Sequence, residues 1–139
     1  LRNILSKTEL LILNKEEAEL LVGKGSFDTL LVKLKGLGPK IAVITDGKNK
    51  LYAIGDLHIY SAFPPPVRIV DSTGAGDAFA SSFLCGLLKN KNTEFAIKLG
   101  IINAQSVVSY YGAKNILLSY KEAMKIMKKF RVKINKKKI

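Results

Sequence analysis

A chain of 139 residues, 47% hydrophobic and 24% charged, has the balance of one soluble globular domain and excludes a disordered polymer, which lacks the apolar residues to form a core. No apolar run reaches the roughly 18 residues of a membrane span; the single cysteine excludes an intrachain disulfide framework, and the single histidine argues against a His-built zinc site or a Ser-His-Asp triad. The net charge of +12 is concentrated at one end, where residues 121–139 hold nine Lys/Arg and one acid, Glu122; with no aromatic interleaved beyond Phe130 this reads as a solvated tail, a weak polyanion contact being the alternative.

In chain order, Glu9-Leu10-Leu11-Ile12-Leu13 predicts a short buried strand that stops at Asn14. Asn14-Lys15-Glu16-Glu17 opens a helix to about Val22, ended by Gly23 and Gly25. Ser26 predicts the cap of a second helix with Phe27, Leu30, Leu31 and Leu34 on one face, stopped at Gly36-Leu37-Gly38-Pro39. Lys40-Ile41-Ala42-Val43-Ile44-Thr45 predicts a fully buried strand with a turn at Asp46-Gly47. Leu51–Ile54 and His58–Phe63 predict two strands of a meander around Gly55-Asp56.

Pro64-Pro65-Pro66 cannot sit in a central strand and marks an extended crossing segment, after which Val67-Arg68-Ile69-Val70 reads as a short strand. An apolar helix is expected from Ala78 to Leu88, then a loop at Lys89-Asn90-Lys91-Asn92. Thr93 is expected to cap a helix to about Tyr110, ended by Gly112, with Tyr110 and Tyr111 packing its end. Ser119 with Glu122 predicts a capping box for a last helix that aligns Ala123, Ile126, Met127 and Phe130. Apolar strands flanked by helices place the chain in the α/β class, as a three-layer α/β/α sandwich. Residues 1–130 read as the folded portion and residues 131–139 as a basic tail.

The stretch Asp71-Ser72-Thr73-Gly74-Ala75-Gly76-Asp77 joins the expected strand to a buried helix. Small residues let backbone N–H groups approach an anion, and a helix start adds a positive dipole end, so the stretch reads as a cradle for phosphate oxygens. A carboxylate beside such a cradle repels phosphate unless it is there to take a proton, which is the role phosphoryl transfer to a hydroxyl requires of Asp77. The plainer reading is a helix cap and a glycine turn. No Walker-type glycine loop is present, and Phe79 stands where a dinucleotide fingerprint needs Gly or Ala.

The seven residues resemble the C-terminal signature of the PfkB/ribokinase family of carbohydrate and nucleoside kinases. Three further features fall in that family's order: Asn14-Lys15-Glu16-Glu17 resembles its N-x-x-E motif, Thr45-Asp46-Gly47 its T-x-G turn, and Asn103 to Val108 with Gly112-Ala113 its adenine-side helix and loop. The resemblance covers about residues 8–130 and implies the C-terminal portion of a ribokinase-like α/β/α sandwich in a cytoplasmic, ATP-dependent enzyme.

By that resemblance Asp77 is the base that deprotonates the acceptor hydroxyl, and the amides of Gly74, Ala75 and Gly76 form the anion hole. Asn14 and Glu17 order Mg²⁺ through water, although their spacing is equally that of a capped helix start and both roles can hold. Thr45 and Gly47 border the nucleotide; Lys50 stands where the family often has a further glycine. Asn103 falls near adenine, the alternative being a polar residue satisfied between two helices. Asp71 and Thr73 resemble positions that hold a monovalent cation such as K⁺ in some members, the alternative being a hydrogen-bonded pair at a strand end.

Family members are about twice this length, and the first half, which carries most of the sugar site, is absent. The start at Leu1 agrees with a chain cut from something longer. The expectation is therefore the nucleotide-binding half of a kinase whose acceptor is a sugar or a nucleoside. It would be inactive alone and would need its missing half, or self-associate as a homo-oligomer, to cover its exposed sheet edge. The competing readings are a non-catalytic nucleotide-binding module that keeps the fold, and nucleic-acid binding through the Lys-rich end.

Overall fold

Leu10–Asn14 forms strand β1, and its unbroken apolar run ends where Asn14 turns the backbone into helix α2, Lys15–Val22. Asn14 is the cap: its side chain accepts from the Glu17 N–H, and the Glu17 carboxylate accepts from the Asn14 N–H, both at 2.8 Å. Gly23 closes α2 with φ of 81° and an N–H bond to Glu19 O. Ser26 caps helix α3, Phe27–Gly36, which buries Leu30, Leu31 and Leu34 completely. Burial of each such side chain contributes about 1.5–3 kcal/mol.

These pieces belong to a computed structural model that describes residues 2–47, 49–90, 92–109 and 117–139. The chain divides into two compact units, a sheet unit of Leu1–Pro64 with Ile134–Ile139 and a helical unit of Pro65–Lys133. In the sheet unit, β2 (Ile41–Asp46), β3 (Lys50–Ile54), β4 (His58–Phe63) and β5 (Lys133–Lys138) complete a 5-stranded sheet in the order β1-β2-β3-β4-β5. β1 and β2 are parallel, with Leu11 opposite Ala42 and Asn14 opposite Thr45; β2, β3 and β4 are antiparallel neighbours. Ala42, Ile44, Ile54 and Ile59 pack with Leu30, Leu31 and Leu34 of α3 and Ala18 of α2. Val43, Leu51, Ala53 and Ala62, which point to the other face, are buried as well. Phe27 stacks on Tyr52 at 4.1 Å, with the Lys15 ammonium 5.3 Å above the Phe27 ring.

The helical unit holds α4 (Ala75–Asn90), α5 (Thr93–Val108) and α6 (Tyr120–Lys129). The short link from Asn90 to Thr93 makes α4 and α5 antiparallel neighbours. They approach so closely that a Cβ on Gly86 would lie 2.7 Å from Ala96 Cα, and one on Gly100 2.7 Å from the Phe79 ring. Ser119 and Glu122 form the expected capping box of α6, and the hydrogen bonds from the Ser119 hydroxyl and N–H hold the Glu122 carboxyl below the usual carboxylate range. No helix among the described residues is long and apolar enough to cross a membrane.

Several elements differ from expectation. Residues 67–70 form no strand: Pro65 and Pro66 have no N–H to give a ladder, and the Val70 and Asp71 amides donate to Val108 O instead. Helix α4 begins at Ala75, so Gly76 and Asp77 lie in its first turn, and it runs on through Lys89 and Asn90. The cap of α5 is Asn92 rather than Thr93, its side chain accepting from the Phe95 N–H at 3.1 Å. A short helix, α1 (Arg2–Leu5), precedes β1 and buries Leu5.

The largest departure is the basic end. Its residues Lys133–Lys138 form β5 beside β4, the Ile139 N–H donating to Leu57 O, which gives the two strands an antiparallel sense. Lys137 pairs with Asp28, and Lys136 lies over the Tyr60 ring. Backbone pairing with β4 outweighs the weak strand propensity of lysine, and lysines on an edge strand discourage further pairing. The expected helix end at Gly112, the packing of Tyr110 and Tyr111 and the Gly112-Ala113 loop lie outside the described residues.

Candidate active site

The predicted residues fall in two groups, one in each unit. In the sheet unit, Asn14 and Thr45 are register partners at the carboxyl ends of the parallel pair β1 and β2, the edge at which open α/β sheets bind ligands. The Thr45 hydroxyl donates to Leu13 O at 3.5 Å, and Gly47 follows in a turn with φ of 53°, where a side chain would be strained. Glu17 stands in the first turn of α2. One of its oxygens accepts from Asn14, while the other is without a protein partner among the described residues, on an exposed side chain. A carboxylate so arranged fits a magnesium ion held through water. No group of three or more His, Cys, Asp or Glu side chains that could hold a metal gathers among the described residues.

In the helical unit, the turn before α4 is made by three local hydrogen bonds. Asp71 Oδ1 accepts from the Thr73 N–H at 2.9 Å, Ser72 O from the Ala75 N–H at 3.2 Å, and Gly74 O from the Ala78 N–H at 2.9 Å. Gly74 takes φ of 79°, which suits glycine. Asp71 and Thr73 thus form a hydrogen-bonded pair, though in a turn rather than at a strand end.

The amides left open differ by one residue from expectation. The Ala75 N–H is already directed at Ser72, whereas those of Gly74, Gly76 and Asp77 have no protein acceptor among the described residues. A Cβ on Gly76 would meet nothing within 4 Å, so its small size is not demanded by packing. The Asp77 side chain is exposed, and its carboxylate has no partner among the described residues; only its carbonyl is used, by the Ser81 hydroxyl at 2.8 Å. The first turn of α4 therefore presents open N–H groups, the positive end of a helix of 16 residues and a free carboxylate together.

Asn103 is held by protein partners within the helical unit. It is 7% exposed, its Nδ2 donates to the Ser82 hydroxyl at 2.7 Å and to Leu118 O at 3.4 Å, and its Oδ1 accepts from the Leu118 N–H at 3.0 Å. These bonds describe the satisfied polar residue between helices that the sequence left open as an alternative. Two partners in this unit, Ser82 and Gln105, carried no signal in the sequence, because their bonds reach 21 and 40 residues along the chain. A cavity of about 530 Å³ lies elsewhere in the helical unit, lined by residues that include Phe95, Met127, Phe130 and Arg131, and contains none of the predicted site residues.

Comparison with known proteins bears on this arrangement. Residues 1–119 match the pfkB family of carbohydrate kinases. A cytidine kinase of Thermococcus kodakarensis is 37% identical over 114 residues, which are 81% of this chain and 41% of that protein. The ribokinase structure of Thermotoga maritima superposes with a TM-score of 0.83 at 25% identity, over 92% of this chain and 45% of that one. An Escherichia coli structure with the ribokinase fold, in complex with ATP and Mg²⁺, gives a TM-score of 0.81 at 17% identity, over 93% and 42% of the two chains. The chain thus spans about two fifths of the length of the curated relatives it matches, and its fold is ribokinase-like. On the match over residues 1–119, the chain belongs to the pfkB family of carbohydrate kinases.

Proposed function

We propose that this chain is the nucleotide-binding portion of an ATP-dependent phosphotransferase that moves the γ-phosphoryl group to a hydroxyl of a sugar or sugar-containing small molecule. The observation that carries this reading is the first turn of α4, where open amides and the free, exposed carboxylate of Asp77 stand together. In the proposed step the Asp77 carboxylate takes the proton of the acceptor hydroxyl. The acceptor oxygen bonds to the γ-phosphorus as the bond from that phosphorus to the β–γ bridging oxygen breaks, and ADP leaves with the electron pair. The amides of Gly74 and Gly76, joined by that of Asp77, hold the charge that develops on the γ-phosphoryl oxygens. Asn14 and Glu17 would hold Mg²⁺ through water, which when bound neutralises phosphate charge. Thr45 and Gly47 would border the nucleotide, and Asn103 would fall near adenine on the family resemblance alone.

The match to a cytidine kinase supports a nucleoside acceptor, and the match to a ribokinase a free pentose; the two share a ribose hydroxyl as nucleophile. The test is Asp77→Asn in the full-length protein, assayed for phosphoryl transfer to cytidine and to ribose. Turnover is expected to fall by about 10²–10⁴-fold, with ATP binding retained. Transfer at the wild-type rate would remove Asp77 as base, and a wild-type protein that binds ATP but transfers to no sugar or nucleoside would favour the non-catalytic module.

A further inference from the structure

We propose that Gln105 is a positioning residue for the Ser72–Asp77 turn, acting through the carbonyl of Pro65; the inference rests on the kinase reading above. Pro64-Pro65-Pro66 leads into that turn, and a proline run has no N–H groups by which a neighbour could hold it at Pro65 or Pro66. Only its carbonyls can be gripped. The Gln105 side-chain amide, projecting from the last turns of α5, donates to Pro65 O. One turn further along the same helix, Val108 O accepts from the Val70 N–H at 2.8 Å and the Asp71 N–H at 3.3 Å. Between these anchors Pro66, Arg68 and Ile69 are exposed.

The segment is therefore suspended from α5 at its two ends. From the second anchor a continuous series of hydrogen bonds leads onward: Asp71 to Thr73, Ser72 to Ala75, Gly74 to Ala78. The Ser109 hydroxyl, bonded to Gln105 O at 2.8 Å, secures the last turn of α5 from which Gln105 projects. Gln105 lies outside the Ser72–Asp77 turn, and its part is to set where the open amides and Asp77 stand. A displacement of about 1 Å at a reacting centre costs as much as 10²-fold in rate, so a grip at this distance is expected to appear in kcat.

The experiment compares Gln105→Glu and Gln105→Lys in the full-length protein. Glu is isosteric but offers no donor when ionised, whereas Lys keeps a donor on a stem of sufficient reach. Gln105→Met replaces the Glu variant should that fail to fold. Hydrogen exchange at the Val70 and Asp71 amides is expected to quicken roughly tenfold in Gln105→Glu, with protection elsewhere in α4 and α5 unchanged. Its kcat is expected to fall about tenfold with KM for ATP within about twofold, and Gln105→Lys to restore both exchange and kcat. Unchanged exchange at residues 70–77, unchanged kcat despite faster exchange, or a Lys variant as impaired as the Glu variant overturns the inference. Exchange is read without turnover, so a wild-type protein that transfers no phosphoryl group is a separate result, and it overturns the kinase reading itself.

Discussion

Two helix starts in this chain solve the same physical problem in opposite ways. At α2, as at α6, a reciprocal capping box satisfies the first amides: Asn14 with Glu17, Ser119 with Glu122. Side chains likewise cap α3 through Ser26 and α5 through Asn92. At α4 the preceding residue is Gly74, which has no side chain to offer, and the amides of Gly76 and Asp77 have no acceptor among the described residues. A cap of the ordinary kind contributes about 1 kcal/mol, which α4 forgoes. On the kinase reading proposed above, the open end of α4 would take a phosphoryl oxygen, the group such an end fits.

The sharpest way to break this comparison is Gly76→Ala. A methyl group there has open space and an ordinary helical backbone, so stability is expected to hold or rise by up to about 1 kcal/mol. Activity of the full-length protein is expected to fall about 10²-fold, ~2.7 kcal/mol of transition-state stabilisation, because the methyl group occupies the face that the phosphoryl group must approach. A variant with wild-type turnover would show that the open amides have no part in transfer.

Glu17→Gln divides the two roles read for α2. Glutamine completes a capping box as glutamate does, so the melting temperature should move little. The magnesium concentration for half-maximal activity is expected to rise about tenfold if Glu17 orders the metal through water. A magnesium titration superimposable on wild type would leave Glu17 a cap alone.

The smallest expected effect concerns the box at α6. The folded pKa of Glu122 is depressed by its hydrogen bonds to Ser119, so its stabilisation is present above the ordinary carboxylate range near 4.3 and is lost as pH falls through the lower folded value. The melting-temperature difference between wild type and Glu122→Gln should therefore narrow as pH falls below about 4, with no change in activity at neutral pH. A difference that is constant across this range would contradict a charge-dependent box.

Much of this arrangement was legible along the chain. The strand that stops at Asn14, the helices opened by Ser26 and Ser119 and the turn at Gly47 are all decided by interactions within about four residues, and sequence spacing displays those. The glycine turn before Asp77 belongs with them, since Gly74 at φ of 79° needs no distant partner. Less legible were the start of α4 at Ala75, where Gly74 offers no side-chain cap to mark it, and the cap at Asn92, whose neighbour Thr93 is also a favoured capping residue.

The chain by itself determined strands β1 to β4, the caps at Asn14, Ser26 and Ser119 and the glycine turn before Asp77, because those depend on local sterics and short-range hydrogen bonds. Tertiary structure alone decided that a lysine-rich end becomes β5, that Asn103 turns inward to Ser82 and Leu118, and that Gln105 grips Pro65. Each of these pairs groups far apart in sequence. Whether a polar group faces water, a ligand or another part of the chain is settled by which partner the fold brings within hydrogen-bond reach, and residue spacing carries no record of that.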